Sequence, residues 1–339
     1  MEQKKILVTG GLGFIGSHTV VCLHEAGYTP VIVDNLHNSR IDVLSAIAQL
    51  IGFIPEFIHG DVNDKSLMTE IFAIHNPDAV IHFAAHKAVG ESVDQPLMYY
   101  NNNVVGLVSL LEVMKQADCK KLVFSSSCTV YGEPEQVPVK ESTPTRPAAS
   151  PYGATKQMGE VILKDNKWFE VQCLRYFNPV GAHESSLIGE LPLGVPNNLI
   201  PYLTQTVAGI RPQLTVHGGD YNTPDGTCIR DYIHVMDLAD AHVAAIGRLF
   251  SNPVEQKVEM GDPSLGNFEV FNIGTGHGYS VLEVISAFES ATGEKVPHII
   301  GPRRNGDVVA VWAETTKVNE VLGWKASRNL ETMMRDAWN

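Results

Sequence analysis

Short apolar segments alternate with longer segments of helical composition through the first half of the chain. Residues 6–9, 31–33, 80–85, 122–124 and 171–175 are rich in Val, Ile, Leu, Phe and Ala. Strands of a parallel sheet that carries helices on both faces are buried on each side, so they read as continuous apolar runs. The pattern predicts an α/β fold with a doubly wound parallel sheet.

The regular alternation of predicted strands and helices ends after residue 178. A loop rich in Gly and Pro leads to a helix predicted to end near residue 208, and later segments mix short strands and helices. We therefore predict that residues 1–178 form the large unit and that residues 179–339 form a second, smaller α/β unit. Segments at about 230–275 are expected to return to the first unit, so that the two are interleaved.

A glycine-rich turn follows the first predicted strand. Gly10, Gly13 and Gly16 have the spacing G-x-x-G-x-x-G, and residues 17–26 have helical composition. In such a turn the first glycine allows a tight bend, the second lets a pyrophosphate approach the backbone, and the third lets helix and strand pack closely. A plain glycine-rich strand-to-helix turn is the alternative interpretation.

Asp34 favours the nucleotide-binding interpretation, because it ends the second predicted strand 18 residues after Gly16. An acidic residue at about this distance accepts hydrogen bonds from the adenosine ribose. Its carboxylate would repel a 2′-phosphate, so the predicted cofactor is NAD rather than NADP. These features indicate a Rossmann-type unit.

The candidate catalytic residues lie at the end of the strand at 122–127 and at the start of the next helix. That strand ends in three serines, the last of which is Ser127, and a Ser-Pro pair then supplies the N-cap and first residue of a helix to about residue 164. Tyr152 and Lys156 are four residues apart and share one helix face. A nearby ammonium or positive cofactor ring favours phenolate, which predicts a tyrosine pKa lowered towards the operating pH.

Several other residues near predicted strand ends have more than one interpretation. Asp61 suits a hydrogen bond to adenine or the N-cap of a helix. Ala84, Ala85 and Lys87 follow a buried strand and would line a cofactor groove, although Lys87 equally suits a solvated loop. Asn102 stands near a helix start, where asparagines usually cap the helix, and it is also within reach of a cofactor.

Composition excludes several classes of protein. The 339 residues are 44% hydrophobic and 19% charged, with a net charge of −13, which argues against a nucleic-acid or anionic-membrane surface. The five cysteines are scattered and the histidines lack ligand spacing, so we expect buried thiols, a cytoplasmic location and no metal. We see neither a leader peptide nor an apolar run of membrane-spanning length.

Nine motifs, taken in order, identify a resemblance that spans nearly the whole chain. The sequence resembles the UDP-glucose 4-epimerase family within the extended short-chain dehydrogenase/reductase superfamily. The motifs are GGLGFIGSH, DNL, HFAAHKAVGES, FSSSCTVYG, SPYGATK, LRYFNPVGAH, PNNLIPY, IRDYIHVMDLADAH and GPRRNGD. Each is modestly specific, whereas their joint order is strongly so.

The resemblance implies a homodimeric enzyme that retains NAD and interconverts UDP-glucose and UDP-galactose. Tyr152 would remove the proton of the sugar 4-hydroxyl while a hydride leaves C4. The 4-keto sugar would then present its opposite face and be reduced, so that net redox is zero. Ser127 would hydrogen-bond the 4-oxygen, and Lys156 would hold the nicotinamide ribose.

The resemblance also implies two sets of binding residues. Those for NAD are Gly10, Gly13, Phe14, Ile15, Gly16, Asp34, Asn35, Asn38, Ser39, Asp61, Val62, Phe83, Ala84, Ala85, Lys87, Asn102, Tyr152, Lys156 and Tyr176. Those for the UDP-sugar are Ser127, Asn178, Asn198, Leu199, His217, Arg230, Arg304, Asp307 and Val311.

The arginines of the second set have an alternative role. An arginine fork can bind two diphosphate oxygens at once. Arg230 and Arg304 could instead pair with nearby carboxylates such as Asp231 and Asp307. For Arg303 we favour such pairing.

Val311 departs from the usual residue of the family. Many strict epimerases have a bulky tyrosine there, and relatives that accept N-acetylated sugars have something smaller. Valine leaves more room at the 2-position of the sugar, which predicts some turnover of UDP-N-acetylglucosamine. Alternatively, Val311 is only a strand residue and other side chains fill the space.

Three rival functions fit the sequence less well. A nucleotide-sugar 4,6-dehydratase usually needs an Asp–Glu pair just after the serine, and here Cys128 and Thr129 follow Ser127. A decarboxylating nucleotide-sugar enzyme typically carries a glutamate at this point. A non-catalytic NAD-sensing protein often lacks the tyrosine or the lysine, and both are present.

Overall fold

The computed structural model describes residues 3–251, 267–304 and 307–339. The strands are β1 Lys5–Thr9, β2 Thr29–Asp34, β3 Glu56–His59, β4 Ala79–His82, β5 Lys121–Ser127, β6 Glu170–Tyr176, β7 Asn178–Val180, β8 Leu214–His217, β9 Ile229–Arg230, β10 Tyr232–His234, β11 Phe268–Ile273, β12 Tyr279–Ser280, β13 His298–Gly301 and β14 Ala310–Val311. The α-helices are α1 Phe14–Glu25, α2 Asp42–Ile51, α3 Lys65–His75, α4 Val89–Asp94, α5 Pro96–Tyr99, α6 Gly106–Gln116, α7 Pro151–Asp165, α8 Leu199–Val207, α9 Val235–Phe250, α10 Val281–Thr292, α11 Thr316–Leu322 and α12 Leu330–Trp338.

Seven strands form one parallel sheet in the order β11–β6–β5–β4–β1–β2–β3. The predicted doubly wound α/β fold is therefore confirmed. The chain winds away from β1 in two directions, through β2 and β3 on one side and through β4, β5 and β6 on the other. In open sheets of this kind, ligands bind in the crevice at the carboxyl ends of the strands where the winding reverses.

Successive residues of β1 enter two different cores, which explains its continuous apolar sequence. Ile6 and Val8 pack with residues of α1 and α9, whereas Leu7 packs with residues of α3 and α6. All three side chains are fully buried, and burial of each contributes about 1.5–3 kcal/mol. Helices therefore cover both faces of the sheet, and its carboxyl edge remains for ligands.

The second half of the chain builds a third core from small sheets and helices. β7 pairs with β10, β9 lies between β12 and β14, and β8 pairs with β13. Leu203 of α8, Phe288 of α10 and Met333 of α12 belong to the same buried cluster. β11 leaves this half and joins the large sheet beside β6. In the same 230–275 range, α9 packs in the buried cluster of Ile6 and Val8, whereas residues 252–266 lie outside the described residues.

Two local predictions need correction. The helix whose start was predicted near Asn102 begins irregularly, because a π-helical turn, Tyr100–Val105, separates α5 from α6. Asp61 is not a helix N-cap. The cap of α3 is Asp64, whose Oδ1 accepts a hydrogen bond from Leu67 N at 3.0 Å.

Within the described parts of the chain, none of the helices combines the length and the apolar character needed to cross a bilayer.

Candidate active site

The predicted pairing of a phenol with an ammonium is confirmed at the start of α7. Ser150 caps this helix, since its Oγ accepts a hydrogen bond from the third helical N–H at 3.2 Å, and Pro151 occupies the first helical position. Lys156 Nζ lies 5.9 Å from the ring centre of Tyr152 and donates to Ser125 O at 2.6 Å. The end of β5 thus fixes the lysine beside the tyrosine.

Burial dominates the protonation of this pair. It raises the pKa of Tyr152 to about 12, although the hydrogen bond with Ser127 acts to lower it. It also lowers the pKa of Lys156 to about 8. The expected lowering of the tyrosine pKa towards the operating pH is not found in the protein alone, because desolvation outweighs the opposing hydrogen bond with Ser127. The effect of a positive cofactor ring stays a prediction.

Tyr176 approaches the same place from the neighbouring strand, where its register partner is Ser127. Its hydroxyl lies 2.7 Å from His242 Nε2, and His242 Nδ1 lies 2.8 Å from Leu238 O. A carbonyl oxygen only accepts, so Nδ1 carries the proton and Tyr176 donates to Nε2. Burial lowers the pKa of His242 to about 4, so the imidazole is neutral. The oxygen of Tyr176 still has lone pairs as acceptors, and the Ser125 hydroxyl is hydrogen-bonded to it.

The glycine turn packs closely against the loop after β4. Gly10 has a φ of 70°, a backbone conformation that residues other than glycine rarely adopt. A Cβ at this position would lie 2.8 Å from the backbone of the loop after β4. A Cβ at Gly16 would overlap the carbonyl oxygen of Gly10. Gly13 caps α1, and the N–H groups of Phe14 and Ile15 have no acceptor within the helix. Such a cradle of backbone donors suits a pyrophosphate.

Asp34 ends β2 and is buried, with most of its carboxylate already bonded. It accepts hydrogen bonds from Leu12 N at 3.0 Å, Leu36 N at 2.9 Å and Ser39 Oγ at 2.7 Å. A carboxylate has about four acceptor sites, so about one remains for a ligand hydroxyl. Asp34 therefore holds the glycine turn and the loop after β2 together.

A second carboxylate links the loops after β2 and β3. Asp61 accepts from Asn35 Nδ2 at 2.8 Å and from both nitrogens of Asn63. Burial acts to raise the pKa of Asp61, but these hydrogen bonds outweigh it, so the pKa lies below its usual value. Val62 is buried next to this group, whereas Asn38 is exposed.

The loop after β4 lies against the end of β1. The N–H groups of Phe83 and Ala84 both donate to Thr9 O, at 3.0 and 3.1 Å. The ring of Phe83 packs on His242, with 4.7 Å between ring centres. Ala85 is half-buried.

Two polar candidates near this loop have protein partners. Lys87 Nζ forms an ion pair with Glu190 at 3.1 Å, which neither interpretation of Lys87 included. Asn102 Nδ2 donates to Asn103 Oδ1 at 2.9 Å, and Asn103 in turn bonds Thr155 of α7. The start of the helical segment is thereby tied to the helix that carries the tyrosine and lysine.

Strands of the second half bring Arg230 and Val311 together, since they are register partners on β9 and β14. Val311 is buried in a cluster that also contains Cys128 and Phe177. Burial raises the pKa of the Cys128 thiol to about 11, and the charge of nearby Arg230 acts against this rise. Both candidates therefore lie next to the segment that follows Ser127.

Asp231 does not neutralise Arg230, so that alternative is wrong. Its buried carboxylate accepts hydrogen bonds from Thr275 N, Gly276 N and Ala313 N instead. Arg230 donates to a neighbouring carbonyl oxygen. Burial acts to raise the pKa of Asp231, and the net shift is upward despite these bonds. The side chain of Arg230 is left without a carboxylate partner among the described residues.

The other arginines do pair with carboxylates. Arg304 lies 2.8 Å from Asp307, and Arg303 lies 2.7 Å from Asp220, as we favoured for Arg303. His217 is exposed at the end of β8. The structure brings Arg304 and Asp307 together as one group.

Three further substrate candidates lie at element ends. Asn178 opens β7 and donates its N–H to Asp231 O at 2.9 Å. Asn198 precedes α8 as its N-cap residue, and Leu199 is the first residue of that helix. The backbone of each of these three residues is therefore positioned by a strand or a helix end.

Two supporting side chains were not singled out from the sequence: Glu190 and His242. His242 lies inside the quoted motif IRDYIHVMDLADAH. Their partners Lys87 and Tyr176 are distant in sequence, so spacing alone does not reveal them. No motif in the sequence around Glu190 indicates its contact with Lys87.

Among the described residues, no group of three or more His, Cys, Asp or Glu side chains is suited to hold a metal ion.

Comparison with known proteins decides the family. The family model for GDP-mannose 4,6 dehydratase matches residues 7–337. A UDP-glucose 4-epimerase of Yersinia pestis is 52% identical, over 98% of this chain and 96% of its own length. The chain belongs to the UDP-glucose 4-epimerase branch of this family.

Solved structures of UDP-glucose 4-epimerases have the same fold. That of Bifidobacterium longum, in complex with NAD+ and UDP, has a TM-score of 0.92 and 46% identity, covering 99% of this chain and 97% of its own. The UDP-Glc/GlcNAc 4-epimerase of Campylobacter jejuni has a TM-score of 0.81 and 35% identity, covering 99% and 98%. The epimerase branch also fits the site, because a thiol and a hydroxyl follow Ser127 where a dehydratase needs carboxyl groups.

Proposed function

We propose that the protein is an NAD-dependent epimerase that inverts C4 of a UDP-hexose and interconverts UDP-glucose and UDP-galactose. The observation that carries this proposal is the cluster of Ser127, Tyr152 and Lys156 at the carboxyl edge of the sheet that also carries the glycine turn. The cluster suits the interconversion of an alcohol and a ketone. The family indicates that the substrate is a UDP-hexose. Fold alone would not decide this.

The residues present fit NAD. The glycine cradle offers backbone N–H groups to a pyrophosphate, and Asp34 keeps about one acceptor site for a ribose hydroxyl. Lys156 has three N–H donors and uses one on Ser125 O, so two remain for the nicotinamide ribose. The other residues that we assign to NAD are Gly10, Gly13, Phe14, Ile15, Gly16, Asn35, Asn38, Ser39, Asp61, Val62, Phe83, Ala84, Ala85, Lys87, Asn102, Tyr152 and Tyr176.

Proton transfer falls to Tyr152. As the phenolate, its oxygen takes the proton of the sugar 4-hydroxyl as C4 becomes a carbonyl carbon, and returns it once the 4-keto sugar presents its opposite face. NAD held at this site would supply the redox chemistry, as the acceptor and then the donor of the C4 hydride. Ser127 holds the 4-oxygen beside the phenol, and Lys156 keeps a positive charge within 5.9 Å of its ring.

The UDP moiety is assigned to the second half of the chain. Arg230 has no carboxylate partner among the described residues and suits the diphosphate. Arg304 and Asp307 form a second polar group, and further contacts are assigned to Asn178, Asn198, Leu199 and His217. In this proposal residues 1–178, with returning segments at about 230–275, hold NAD, and residues 179–339 hold the nucleotide sugar.

We also propose a homodimer and a cytoplasmic location. Seven apolar side chains are exposed on α4, α5, the π-helical turn, α6 and α7: Val89, Val93, Leu97, Val105, Val108, Met158 and Val161. A second copy of the chain would cover this apolar helix face. All five cysteines are free thiols, which supports a reducing compartment.

One incubation tests the main proposal. The purified protein is given UDP-glucose without added cofactor, and the products are separated. We expect UDP-galactose, with about one NAD bound per chain. A product that has lost water or carbon dioxide would falsify the proposal.

UDP-N-acetylglucosamine is a second candidate substrate, favoured by the small side chain of Val311 beside Arg230. If Val311 sets the room at the sugar 2-position, Val311→Tyr should lower turnover of the acetylated sugar at least tenfold and leave UDP-glucose turnover within about threefold. Val311→Ile is the matched control for a larger side chain on the same strand. Undetectable turnover of the acetylated sugar by the unaltered protein would show that other side chains fill the space.

A further inference from the structure

Helix α7 is bonded to the end of β5 at three points. The first two contacts are made by Tyr152 and Lys156. The third is made one helical turn further along by Glu160, whose Oε1 accepts a hydrogen bond from Ser126 Oγ at 2.6 Å. Ser126 lies between the two residues of β5 that the first two contacts use. Glu160 therefore completes a series of contacts that joins this helix to the strand end at the catalytic cluster.

An arginine of the neighbouring strand fixes the Glu160 carboxylate. Arg175 of β6 is the register partner of Ser126, and its Nε and Nη2 donate to the two carboxylate oxygens at 2.9 and 2.6 Å. Its Nη1 donates to the hydroxyl of Tyr131 at 3.0 Å. The side chains of Glu160 and Arg175 are only 10% and 6% exposed. A buried two-point ion pair of this kind fixes the orientation of the carboxylate that holds Ser126.

Glu160 also sets the charge around Lys156. Burial lowers the pKa of Lys156 to about 8, whereas Cys173 and Glu160 act to raise it. Burial keeps the Cys173 thiol neutral by raising its pKa, so the carboxylate is what supports the ammonium near pH 7. Burial holds other titratable side chains around this lysine neutral in the same way, namely Tyr152, Tyr176, Cys128 and His82.

We propose that Glu160 is a positioning residue of the catalytic cluster, which fixes the end of β5 against α7 and stabilises the ammonium of Lys156. This role rests on the proposed function, because it concerns the residues to which that function assigns proton transfer. Glu160 acts on Ser127 through the adjacent Ser126 and on Lys156 through its charge. A merely structural role predicts instead that loss of Glu160 lowers stability and leaves the pH dependence of turnover as it was.

Glu160→Gln tests the effect of the charge, because it keeps the size of the side chain. Lys156 should lose its proton at a lower pH, so the fall of kcat at alkaline pH should begin earlier. We expect kcat at pH 7 to drop about tenfold and KM for UDP-glucose to change less than about threefold. NMR of lysine labelled with carbon-13 at Cε follows the ammonium directly, and the absence of its signal from Lys156→Met assigns it.

Ser126→Ala tests the positioning. It removes the hydroxyl that Glu160 binds and leaves the ion pair with Arg175, so the fold should persist. We expect kcat to drop about three- to tenfold, since the end of β5 is no longer held against α7. The titration of Lys156 should match that of the unaltered protein, because the carboxylate keeps its charge.

Glu269→Gln is the matched control for loss of a buried ion pair. Glu269 is buried in the same sheet, on β11, and accepts from Arg248 Nε at 2.9 Å and from Arg248 Nη2 at 3.0 Å. Its replacement should lower stability, as that of Glu160 does. It should leave kcat and its pH dependence within about twofold, because Glu269 has no contact with the catalytic cluster.

A buried arginine without its carboxylate could prevent Glu160→Gln from folding. In that case Arg175→Met is combined with it, so that no unpaired charge stays buried, and the same change in Lys156 is expected. An unaltered titration of Lys156 in the folded variant, or full kcat in Ser126→Ala, overturns the inference. Absence of turnover in the unaltered protein would count against the proposed function instead. The NMR titration needs no substrate and would still decide the effect of Glu160 on Lys156.

Discussion

At the scale of single residues, the site works against the ionisation that its chemistry needs. Burial raises the pKa of Tyr152 to about 12 and lowers that of Lys156 to about 8. A buried phenol and a buried ammonium each favour the neutral form. In the protein alone the phenol is therefore held protonated. We predict that a positive cofactor ring beside it favours the phenolate, which would limit side reactions in the absence of the cofactor.

Removal of the phenolic oxygen tests this view. Tyr152→Phe should lower kcat by about 10²- to 10⁴-fold, because general acid–base catalysis is lost while the ring stays in place. Bound NAD and the affinity for UDP should change less than about threefold. The measurements are turnover, NAD released on denaturation, and UDP titration. Lost binding with retained turnover would instead give Tyr152 a structural role.

At the scale of elements, local patterns predicted what local interactions build. The turn at Gly10–Gly16, the N-cap and proline of α7, and the apolar strands are each specified within a few residues of sequence. The Asp231 and Glu190 contacts were not predictable in this way. Asp231 is bonded 44 and 82 residues away, and Glu190 is bonded 103 residues away. Such pairs form only when the large sheet and the smaller sheets meet.

The π-helical turn shows the same limit. Tyr100–Val105 reads as part of a continuous helix in sequence. Within this turn, the side chain of Asn103 bonds the backbone of His86 and the side chain of Thr155. These hydrogen bonds join residues that are distant in sequence, so they form only once the chain has folded. We infer that they favour the wider turn over a regular helix.

The third glycine of the turn between β1 and α1 gives an element-scale prediction. A Cβ at Gly16 meets the carbonyl oxygen of Gly10, and backbone cannot move aside as a side chain can. Gly16→Ala should therefore lower the free energy of unfolding by about 1–3 kcal/mol and reduce bound NAD. Urea denaturation and NAD content measure the two effects.

Gly247→Ala is the matched control, because nothing lies within 4 Å of its Cβ position in α9. It should be neutral or stabilise the protein by up to about 1 kcal/mol, since alanine favours helix more than glycine does. Equal effects of the two substitutions would mean that the turn is not tightly packed.

At the scale of the whole molecule, the apolar helix face predicts the assembly. Val161→Asp places a charge in the middle of a surface that the proposed partner copy would bury, which costs several kcal/mol in the dimer. The unaltered protein should elute at twice the chain mass of 37.0 kDa, and the variant at that mass itself. Light scattering after gel filtration measures both. Ile54→Asp, an exposed apolar residue outside this face, should leave the dimer intact.

Four histidines are buried in the described part of the chain, and the three with the most strongly lowered pKa values predict how the whole molecule responds to acid. Burial lowers the pKa of His18 and of His82 to about 3, and that of His242 to about 4. Between pH 6.5 and about 4 the unfolded chain takes up protons at these sites and the folded chain does not. Stability must therefore fall as pH falls through this window.

The size of the effect follows from the same shifts. At pH 5 each of these histidines should remove about 2 kcal/mol, and the three together about 6 kcal/mol, relative to pH 7.5. Asp231 and Asp240, whose pKa values burial raises, offset part of this loss. Urea denaturation at the two pH values measures the difference. His18→Leu should reduce it by about a third, whereas a replacement of the exposed His277 by Gln should not. A pH dependence that His18→Leu leaves unchanged would mean that the acid sensitivity arises elsewhere in the fold.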